Sequence, residues 1–265
     1  MTEEMAPVLA PVSVSQEGEK LLSIVVTIPV YNEAPRLGRN VEVLLNSLRS
    51  NGHQSRIIIA EDGSRDGSRE VAEALRARNG QIEVVHNDSR LGRGEAIRRA
   101  WNNANGDIFV FMDADLATDL RYLPTLLEMI SSGRYDFVTG SRYAPGSRSS
   151  RPMLRRAVSL AYNRIVRIVF HTEITDHQCG FRAFNLRARE AVLRLTTENT
   201  WAWDTECIVL LRRLGMRLGE LPVSWEEKKT RNTRVSRLIG DVFVHGLALL
   251  RMYPRLRSST SRFEK

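Results

Sequence analysis

The sequence predicts an α/β protein with a mostly parallel central sheet and helices on both faces. Short apolar runs, such as residues 21–29 and 108–112, alternate with stretches of helical periodicity. Because parallel strands need a crossover connection, this alternation is typical of a parallel sheet. Polar residues also follow the ends of three successive apolar runs. In open α/β sheets these strand ends meet in one crevice, where ligands bind.

Turn-forming residues separate the predicted elements. Pro29 ends the first apolar run, and Gly63 and Gly67 lie between the second run and the helix that follows it. We expect strands at 21–29, 56–60, 82–86, 108–112 and 135–139, and helices at 34–50, 67–79, about 94–104 and 153–170. Residues 238–250 form a further apolar segment, which contains Asp241 and His245 and is too short to cross a bilayer.

Composition indicates a basic globular protein. Of 265 residues, 42% are hydrophobic and 26% are charged, and the net charge is +8. Such an excess of cations calls for a polyanionic partner: a nucleic acid, an anionic membrane or a phosphorylated substrate. Cys179 and Cys207 have neither metal-ligand nor disulfide spacing, and the N-terminus lacks a signal-peptide pattern. We therefore expect a protein of the reducing cytoplasm.

The chain divides into three segments by pattern. Residues 1–20 lack periodicity and are expected to be a disordered lead. Residues 21–235 carry the strand–helix alternation of one domain, and residues 236–265 are expected to form an amphipathic helix and a basic tail. No apolar run reaches the ~20 residues of a membrane span. We therefore expect any membrane attachment to be peripheral, at the cytoplasmic face.

Two carboxylates, Asp113 and Asp115, follow the strand predicted at 108–112. Ala114 lies between them, so in extended backbone both side chains would point to the same side. Such a pair suits Mg²⁺ or Mn²⁺ that is also held by substrate phosphates. The alternative is a loop that carries two solvated acids. The polar loops at the neighbouring strand ends favour the metal site.

Four motifs at the strand ends occur in order: Ile28-Pro29-Val30-Tyr31-Asn32-Glu33, Glu61-Asp62-Gly63-Ser64-Arg65-Asp66-Gly67, Leu91-Gly92-Arg93-Gly94 and Asp113-Ala114-Asp115. Together they resemble the donor-binding half of the family 2 inverting glycosyltransferases, which have the GT-A fold, over about residues 22–235. The resemblance implies donor-binding roles for Pro29, Tyr31, Glu33, Asp62, Arg93, Asp113 and Ala114. It also implies that Asp115, with Asp113, holds Mg²⁺ or Mn²⁺ on the diphosphate of a nucleotide sugar.

The second half of the chain narrows the resemblance. Its motifs are Gly140-Ser141-Arg142-Tyr143, Asp176-His177-Gln178-Cys179-Gly180-Phe181-Arg182, Trp201-Ala202-Trp203-Asp204-Thr205-Glu206, Leu221-Pro222-Val223-Ser224-Trp225 and Thr233-Arg234-Val235. They are similar to polyprenyl-phosphate hexose synthases, and closer to those that make dolichyl-phosphate glucose than to the mannose branch. Ala117 stands where the mannose branch usually has a Gln that helps with the metal. Arg93 and Arg234 stand where the family has Lys, and both keep a cation for phosphate.

Sugar transfer from a nucleoside diphosphate needs cations for the departing diphosphate. Beside a metal held by Asp115, the candidate cations are Arg142, Arg231 and Arg234. Arg231 is also a candidate donor contact. A lipid phosphate is already anionic, so it needs positioning more than a general base. For a hydroxyl acceptor, Asp176 and Glu206 are the candidate bases and Gln178 a candidate positioning residue. Alternatively, the two carboxylates are structural and cap a loop or pair with arginine.

Residues 134–170 contain eight arginines and one acid, Asp136. The helix predicted at 153–170 has apolar residues three or four apart: Leu154, Val158, Ala161, Ile165 and Val169. A basic amphipathic helix of this kind is typical of proteins that lie on a membrane surface. The alternative is a core-facing helix with a solvated arginine face. Arg155 and Ser159 match an Arg-X-X-X-Ser pattern that, in the resembling family, binds the lipid phosphate.

Together with these observations, the resemblance implies a metal-assisted enzyme that moves a hexose from a nucleotide sugar to a polyprenyl (dolichyl) phosphate with inversion. Glucose is favoured over mannose, but the choice between the two stays open. The nucleotide, UDP or GDP, is left open. One alternative is a family 2 transferase that adds the sugar to a glycan hydroxyl. A nucleic-acid-binding protein is disfavoured, because the arginines form no recognisable binding motif and the strand-end acids would repel phosphates unless a metal were bound.

Overall fold

Two β-sheets form the framework of the protein in a computed structural model, which describes residues 21–228 and 249–254. The strands are β1 (Ser23–Val30), β2 (Gln54–Asp62), β3 (Ile82–Asn87), β4 (Ile108–Met112), β5 (Phe137–Ser141), β6 (Arg148–Ser150), β7 (Phe181–Asn185), β8 (Leu218–Pro222) and β9 (Ser224–Glu226). The central sheet has the order β3-β2-β1-β4-β7-β5-β8, and β6 pairs with β9 separately. Only β7 is antiparallel to its neighbours, β4 and β5.

Helices cover both faces of the central sheet, as the sequence predicts. They are α1 (Ala34–Arg49), α2 (Ser68–Arg78), α3 (Arg93–Asn102), α4 (Leu123–Ser131), α5 (Met153–Phe170), α6 (Leu186–Leu195) and α7 (Trp203–Arg213), with a short 3₁₀ turn at Leu120–Tyr122. One buried apolar cluster joins the sheet to α1, α2 and α4, and a second joins it to α3, α6 and α7. Alternate residues of β1 explain this division, since Ile24 and Val26 belong to the first cluster and Val25 to the second.

The order of the strands locates a crevice at the carboxyl end of the sheet. The chain runs from β1 outward through β2 to β3 and then returns to β4 on the other side of β1. The loops after β1 and β4 therefore leave the sheet in opposite directions, and in open α/β sheets ligands bind at this reversal. The motifs predicted to bind the donor lie at this edge.

The predicted elements agree with the structure to within a few residues, and the strand expected at 135–139 is β5. Sequence reasoning missed β7, and the reason is Arg182. This residue is the second of the strand and fully buried, with its guanidinium group bonded to the backbone carbonyls of His177, Cys179 and Asp204. A buried arginine interrupts the apolar pattern by which a strand is recognised. The short polar strands β6 and β9 were missed for the same kind of reason.

Helix α5 exposes several large apolar residues, which a core-facing helix with a solvated arginine face would bury. Leu154 and Ile165, both expected on the apolar face, are 54% and 52% exposed. The outer face of α5 also includes Met153, Leu160 and Ile168. Its buried residues are Arg155, Ser159, Asn163, Val166 and Phe170. The helix therefore rests on the domain partly through polar side chains.

The two ends of the chain are only partly described. The expected lead at 1–20 and most of the expected C-terminal segment, 236–265, lie outside the described residues. Residues 249–254 are helical, and Leu249 and Met252 pack against Val166 and Phe170 of α5. Within the described ranges, no helix has both the length and the hydropathy needed to cross a bilayer.

Candidate active site

The loop after β1 is tied to the loop after β2 by side chains that bond to backbone amides. The amide of Asn32 donates to Ser64 Oγ at 3.0 Å, and the amide of Glu33 donates to Ser68 Oγ at 2.8 Å. Asp66 accepts the amide of Ala34 at 3.0 Å. The first two motifs thus form one unit, in which Tyr31 is half-buried beneath the guanidinium group of Arg90, 4.1 Å from its ring centre.

The acids of the second motif organise the loops on both sides of them. Asp62 accepts the amides of Leu91 and Gly92, one on each oxygen, at 2.8 Å. Glu61 accepts the amide of Ser64, and its other oxygen lies 2.5 Å from Nδ1 of His86. Burial alone would raise the pKa of Glu61, but the hydrogen bonds from Ser64 and the contact with His86 hold it below its ordinary value. Asp62, a predicted donor contact, therefore also shapes the third motif.

The acids predicted to hold a metal lie in a tight turn. The amide of Leu116 donates to the carbonyl of Asp113 at 3.1 Å, and Leu116 has a positive φ of 48°. The expectation that extended backbone would align Asp113 and Asp115 is therefore wrong, because the strand ends at Met112 and the chain reverses at once. We call residues 113–116 the carboxylate turn. Its Asp115 accepts the amide of Ala117 on Oδ1 at 3.1 Å.

Arg93, predicted to meet donor phosphates, bridges two carboxylates instead. Its Nη1 lies 3.1 Å from Asp113 Oδ1, and its Nη2 lies 2.8 Å from Asp204 Oδ2. Asp204 is fully buried and also lies 3.1 Å from Nη1 of Arg182. Burial raises the pKa of Asp204, and the two guanidinium groups act against this change. Arg93 therefore links the carboxylate turn to the protein interior.

The carboxylate turn fits a metal that is completed by substrate. Mg²⁺ and Mn²⁺ favour carboxylate oxygens, and Mg²⁺ usually takes one or two of them together with phosphates and water. Within the described part of the chain, no group of three or more acidic, histidine or cysteine side chains is arranged to hold a metal by itself. Asp113 and Asp115 would thus supply part of the ligands and a diphosphate the rest. Ala117 adds no side-chain ligand.

Two arginines lie against Trp225, and a third pairs with Glu227, two residues further along the chain. We call Arg142, Arg151 and Arg155 the arginine cluster. The guanidinium carbons of Arg142 and Arg151 lie 5.4 Å and 5.8 Å from the ring centre of Trp225. Arg151 donates to Ser159 Oγ at 2.9 Å and lies 3.5 Å from the hydroxyl of Tyr143. Ser159, predicted from the Arg-X-X-X-Ser pattern, is thereby brought to this cluster.

Two members of the arginine cluster are paired with acids. Arg142 forms a bidentate ion pair with Asp176, at 2.7 Å and 2.8 Å, and Arg155 forms an ion pair with Glu227. Burial alone would raise the pKa of Asp176, but the charge and hydrogen bonds of Arg142 hold it below its ordinary value. The cluster therefore contains cations whose charge is partly compensated.

The candidate bases have the structural partners of the alternative interpretation. Asp176 is fully buried, pairs with Arg142 and accepts the amide of Gln178. Glu206 is fully buried and accepts the amides of Thr197 and Glu198. Neither carboxylate is exposed to solvent, so the geometry disfavours both as bases. Gln178 is partly buried beside Asp176.

The carboxylate turn and the arginine cluster are neighbours. Thr118, three residues after Asp115, forms an isolated bridge with Trp225, and the carbonyl of Ala117 accepts the amide of Glu226 at 2.9 Å. The segments that carry the two charged groups are thus joined through their backbones. Arg231 and Arg234 lie outside the described residues. Sequence reasoning missed the roles of Trp225, Asp204 and Glu227, although the motif strings at 201–206 and 221–225 contain Asp204 and Trp225.

The family model of glycosyl transferase family 2 matches residues 25–193, which include both donor loops and the carboxylate turn. The chain belongs to this family. Glycosyltransferase AglD of Haloferax volcanii is 41% identical over 237 residues, 89% of this chain and 38% of that protein. Dolichyl-phosphate beta-glucosyltransferase ALG5A of Trichomonas vaginalis is 30% identical over 227 residues, 82% of this chain and 69% of that protein. The chain thus spans well under half of the first relative.

Solved structures of similar shape confirm the GT-A fold. Glucosyl-3-phosphoglycerate synthase from Mycobacterium tuberculosis, in complex with Mn²⁺, UDP and glucosyl-3-phosphoglycerate, matches with a TM-score of 0.64 at 19% identity over 88% of this chain and 80% of that one. Mannosyl-3-phosphoglycerate synthase from Rubrobacter xylanophilus matches with a TM-score of 0.65 at 19% identity over 92% of this chain and 76% of that one. At this identity the likeness shows the fold.

Proposed function

We propose that this family 2 glycosyltransferase moves a hexose, glucose rather than mannose, from a nucleoside diphosphate sugar to a polyprenyl phosphate with inversion. The observation that carries the proposal is the bridge between Thr118, which follows the carboxylate turn, and Trp225, against whose ring Arg142 and Arg151 lie. A donor diphosphate on the turn would bring its sugar close to cations that suit a second phosphate. The names of AglD and of ALG5A, a dolichyl-phosphate beta-glucosyltransferase, support the same chemistry.

In the proposed step, an acceptor phosphate oxygen attacks the anomeric carbon on the face opposite the leaving group. The bond from that carbon to the diphosphate breaks, and the electron pair leaves with the nucleoside diphosphate. Mg²⁺ or Mn²⁺ bound by Asp113 and Asp115 would stabilise the charge of that diphosphate. Arg151 and Ser159 would orient the acceptor phosphate, which would lie near Arg142. A phosphate is anionic at neutral pH, so no proton has to be removed.

The partners of the candidate bases favour a phosphate acceptor over a glycan hydroxyl. A hydroxyl must lose its proton during the transfer, and a positioned base usually accepts it. Asp176 and Glu206, the candidates for this role, are both fully buried and bonded to Arg142 or to backbone amides. A phosphate acceptor needs neither of them.

The outer face of α5 supports work at a membrane surface. Its five large apolar side chains are 43% to 88% exposed, and the exposed Arg156, Arg164 and Arg167 lie on the same helix. Each cation near an anionic surface contributes about 1 kcal/mol, and each buried methylene adds about 0.8 kcal/mol. The opposite side of the helix carries Arg155 and Ser159. We propose peripheral attachment to the anionic cytoplasmic leaflet, where a lipid phosphate would reach the arginine cluster.

A two-donor assay tests this proposal. Purified protein is given radiolabelled UDP-glucose or GDP-mannose, polyprenyl phosphate and Mn²⁺, and the product is extracted into organic solvent. We expect label from UDP-glucose in the organic phase, none when EDTA is present, and none when polyprenol replaces its phosphate. Transfer of label only to added glycans would contradict the proposal and favour a hydroxyl acceptor. Label in the organic phase only from GDP-mannose would contradict the choice of glucose and would still support a phosphate acceptor.

A further inference from the structure

Arg93 lies at the start of α3 on a backbone that neighbouring segments hold in place. The preceding Gly92 has a φ of 103°, and its amide is bound by Asp62. A Cβ at Gly92 would lie 2.3 Å from the carbonyl oxygen of Asn199, so the backbone at Gly92 packs directly against the segment that contains Asn199. The amide of Gly94 also donates to the carbonyl of Asn199 at 3.0 Å. The position of Arg93 is thus set before its side chain makes any contact.

The side chain of Arg93 is enclosed between two aromatic rings. Its guanidinium carbon lies 3.9 Å from the ring centre of Trp201 and 5.0 Å from that of Phe111. Only 9% of the side chain is exposed. The planar group can turn little between the rings, and its two terminal nitrogens face Asp113 and Asp204. With so little of the side chain exposed and both terminal nitrogens on carboxylates, a direct contact with a donor phosphate would compete with these two ion pairs.

Asp204 is a rigid anchor for this arginine. It is fully buried in the first turn of α7, where the helix dipole favours a carboxylate. Its Oδ1 lies 3.1 Å from Arg182, which in turn donates to three backbone carbonyls. Arg182, Asp204, Arg93 and Asp113 therefore form one continuous chain of charges from the interior to the carboxylate turn.

Gly180 confines the other oxygen of Asp113. A Cβ at Gly180 would lie 1.9 Å from Asp113 Oδ2, and the carbonyl of Gly180 accepts the amide of Asp113 at 3.0 Å. The carboxylate of Asp113 is therefore held by Arg93 at Oδ1, and its Oδ2 occupies the space that a side chain at Gly180 would fill. The side chain of Asp113 remains 33% exposed.

We propose that Arg93, held by Asp204, is a positioning residue that sets the orientation of the Asp113 carboxylate for the metal-bound diphosphate, and that it does not bind the donor phosphates. This inference rests on the proposed function, since it assumes that Asp113 meets a divalent cation. Binding sites of this kind need their ligating groups within about 0.5 Å of the productive geometry. Lys at position 93 would keep the charge but could not bridge two carboxylates with separate nitrogens.

The test measures metal and nucleotide binding separately. Affinity for Mn²⁺ in the presence of UDP or GDP is followed by the electron paramagnetic resonance of free Mn²⁺, and nucleotide affinity in EDTA by calorimetry. Arg93→Lys is expected to weaken Mn²⁺ binding about 10-fold and to leave metal-free nucleotide binding within about twofold. Arg56→Lys is the matched control, because Arg56 pairs with Glu83 at the opposite edge of the sheet. We expect it to change neither value.

Two further variants approach the same carboxylate from other sides. Asp204 is fully buried and cannot contact a ligand, so Asp204→Asn can act only through Arg93. It is expected to weaken Mn²⁺ binding as Arg93→Lys does. Because this change can prevent folding, Gly180→Ala serves as the second test, since its Cβ must displace Asp113 Oδ2. Weaker metal-free nucleotide binding in Arg93→Lys would overturn the inference and assign Arg93 to phosphate. Unchanged Mn²⁺ affinity in Arg93→Lys and Gly180→Ala would overturn it as well. If the wild-type protein shows no Mn²⁺-dependent nucleotide binding, the proposed function itself fails.

Discussion

The carboxylate turn and the arginine cluster hold buried charge in different ways. The turn is a local structure, closed by its own backbone within four residues, and one arginine controls one of its acids. The arginine cluster is assembled from distant segments, and Arg142 and Arg155 are joined to acids 34 and 72 residues away. The difference shows that the backbone of the proposed metal site is formed by a single turn, with distant residues acting only on the side chain of Asp113, whereas the proposed acceptor site depends on the whole second half of the domain.

The largest expected effect comes from the carboxylate turn. Asp115→Ala should reduce turnover at least about 1,000-fold, because loss of a metal ligand removes several kcal/mol of charge stabilisation from the transition state. The loss should persist at saturating Mn²⁺ and Mg²⁺, as measured by the extraction assay. Asp119→Asn, an exposed acid four residues later, is the matched control and should keep full activity. Retained turnover in Asp115→Ala would remove the metal role of this residue.

The second expected effect is on stability. Asp176→Asn leaves Arg142 buried without its counter-charge, and breaking such a pair costs about 3 to 5 kcal/mol. The free energy of unfolding, measured with urea at pH 7, should fall by that amount. Asp88→Asn, which changes a fully exposed acid, should leave it almost unchanged. A loss of activity without a loss of stability would assign Asp176 to the chemistry after all.

The same pair predicts a pH dependence of stability. The pKa of Asp176 is lower in the folded protein than its ordinary value of 3.8, so the pair stabilises the fold fully above that value. The contribution is lost as the pH falls below 3.8 and through the folded pKa. Unfolding free energies between pH 6 and pH 2.5 should therefore fall less steeply at the acid end for Asp176→Asn than for the wild type. Parallel curves would contradict the lowered pKa.

A smaller effect distinguishes the two substrates. Arg155→Ala should raise the KM for polyprenyl phosphate about 10-fold, the equivalent of one hydrogen-bonded charge, and leave the KM for the nucleotide sugar within about twofold. Part of the increase comes from Glu227, which then repels the acceptor. Arg155→Ala combined with Glu227→Ala should therefore recover part of the affinity. Equal increases in both KM values would show that Arg155 maintains the fold of the domain instead.

The smallest effect concerns the outer face of α5. Ile165→Asp should reduce binding to anionic vesicles several-fold, because it removes exposed apolar surface and adds a repelled charge. Sedimentation with vesicles of phosphatidylserine and phosphatidylcholine measures this change. Val43→Asp is the matched control, since Val43 is a β-branched residue of α1 that is 46% exposed. Equal binding of both variants and the wild type would exclude this face as the contact.

Features carried by neighbouring residues could be predicted from the sequence. The strands follow from apolar runs such as residues 108–112, and the acids of the proposed metal site are separated only by Ala114. The apolar side of α5 was predicted in part, since Leu154 and Ile165 belong both to the predicted apolar face and to the exposed face. The outward direction was the favoured interpretation, but the core-facing alternative stayed open, because periodicity shows that a helix is amphipathic and not which side meets the domain.

The sequence by itself determined the α/β fold, the positions of the donor motifs and the acidic strand end, since each depends on spacing within a few residues. Only the tertiary structure decided which charges meet. Arg93 and Asp204 are 111 residues apart in the chain, and the sequence around neither residue predicts their contact. The crossing of β7 between β4 and β5 brings Gly180 and Arg182 beside the carboxylate turn. Burial then requires every charge there to find a partner, because an unpaired ion in the interior costs several kcal/mol.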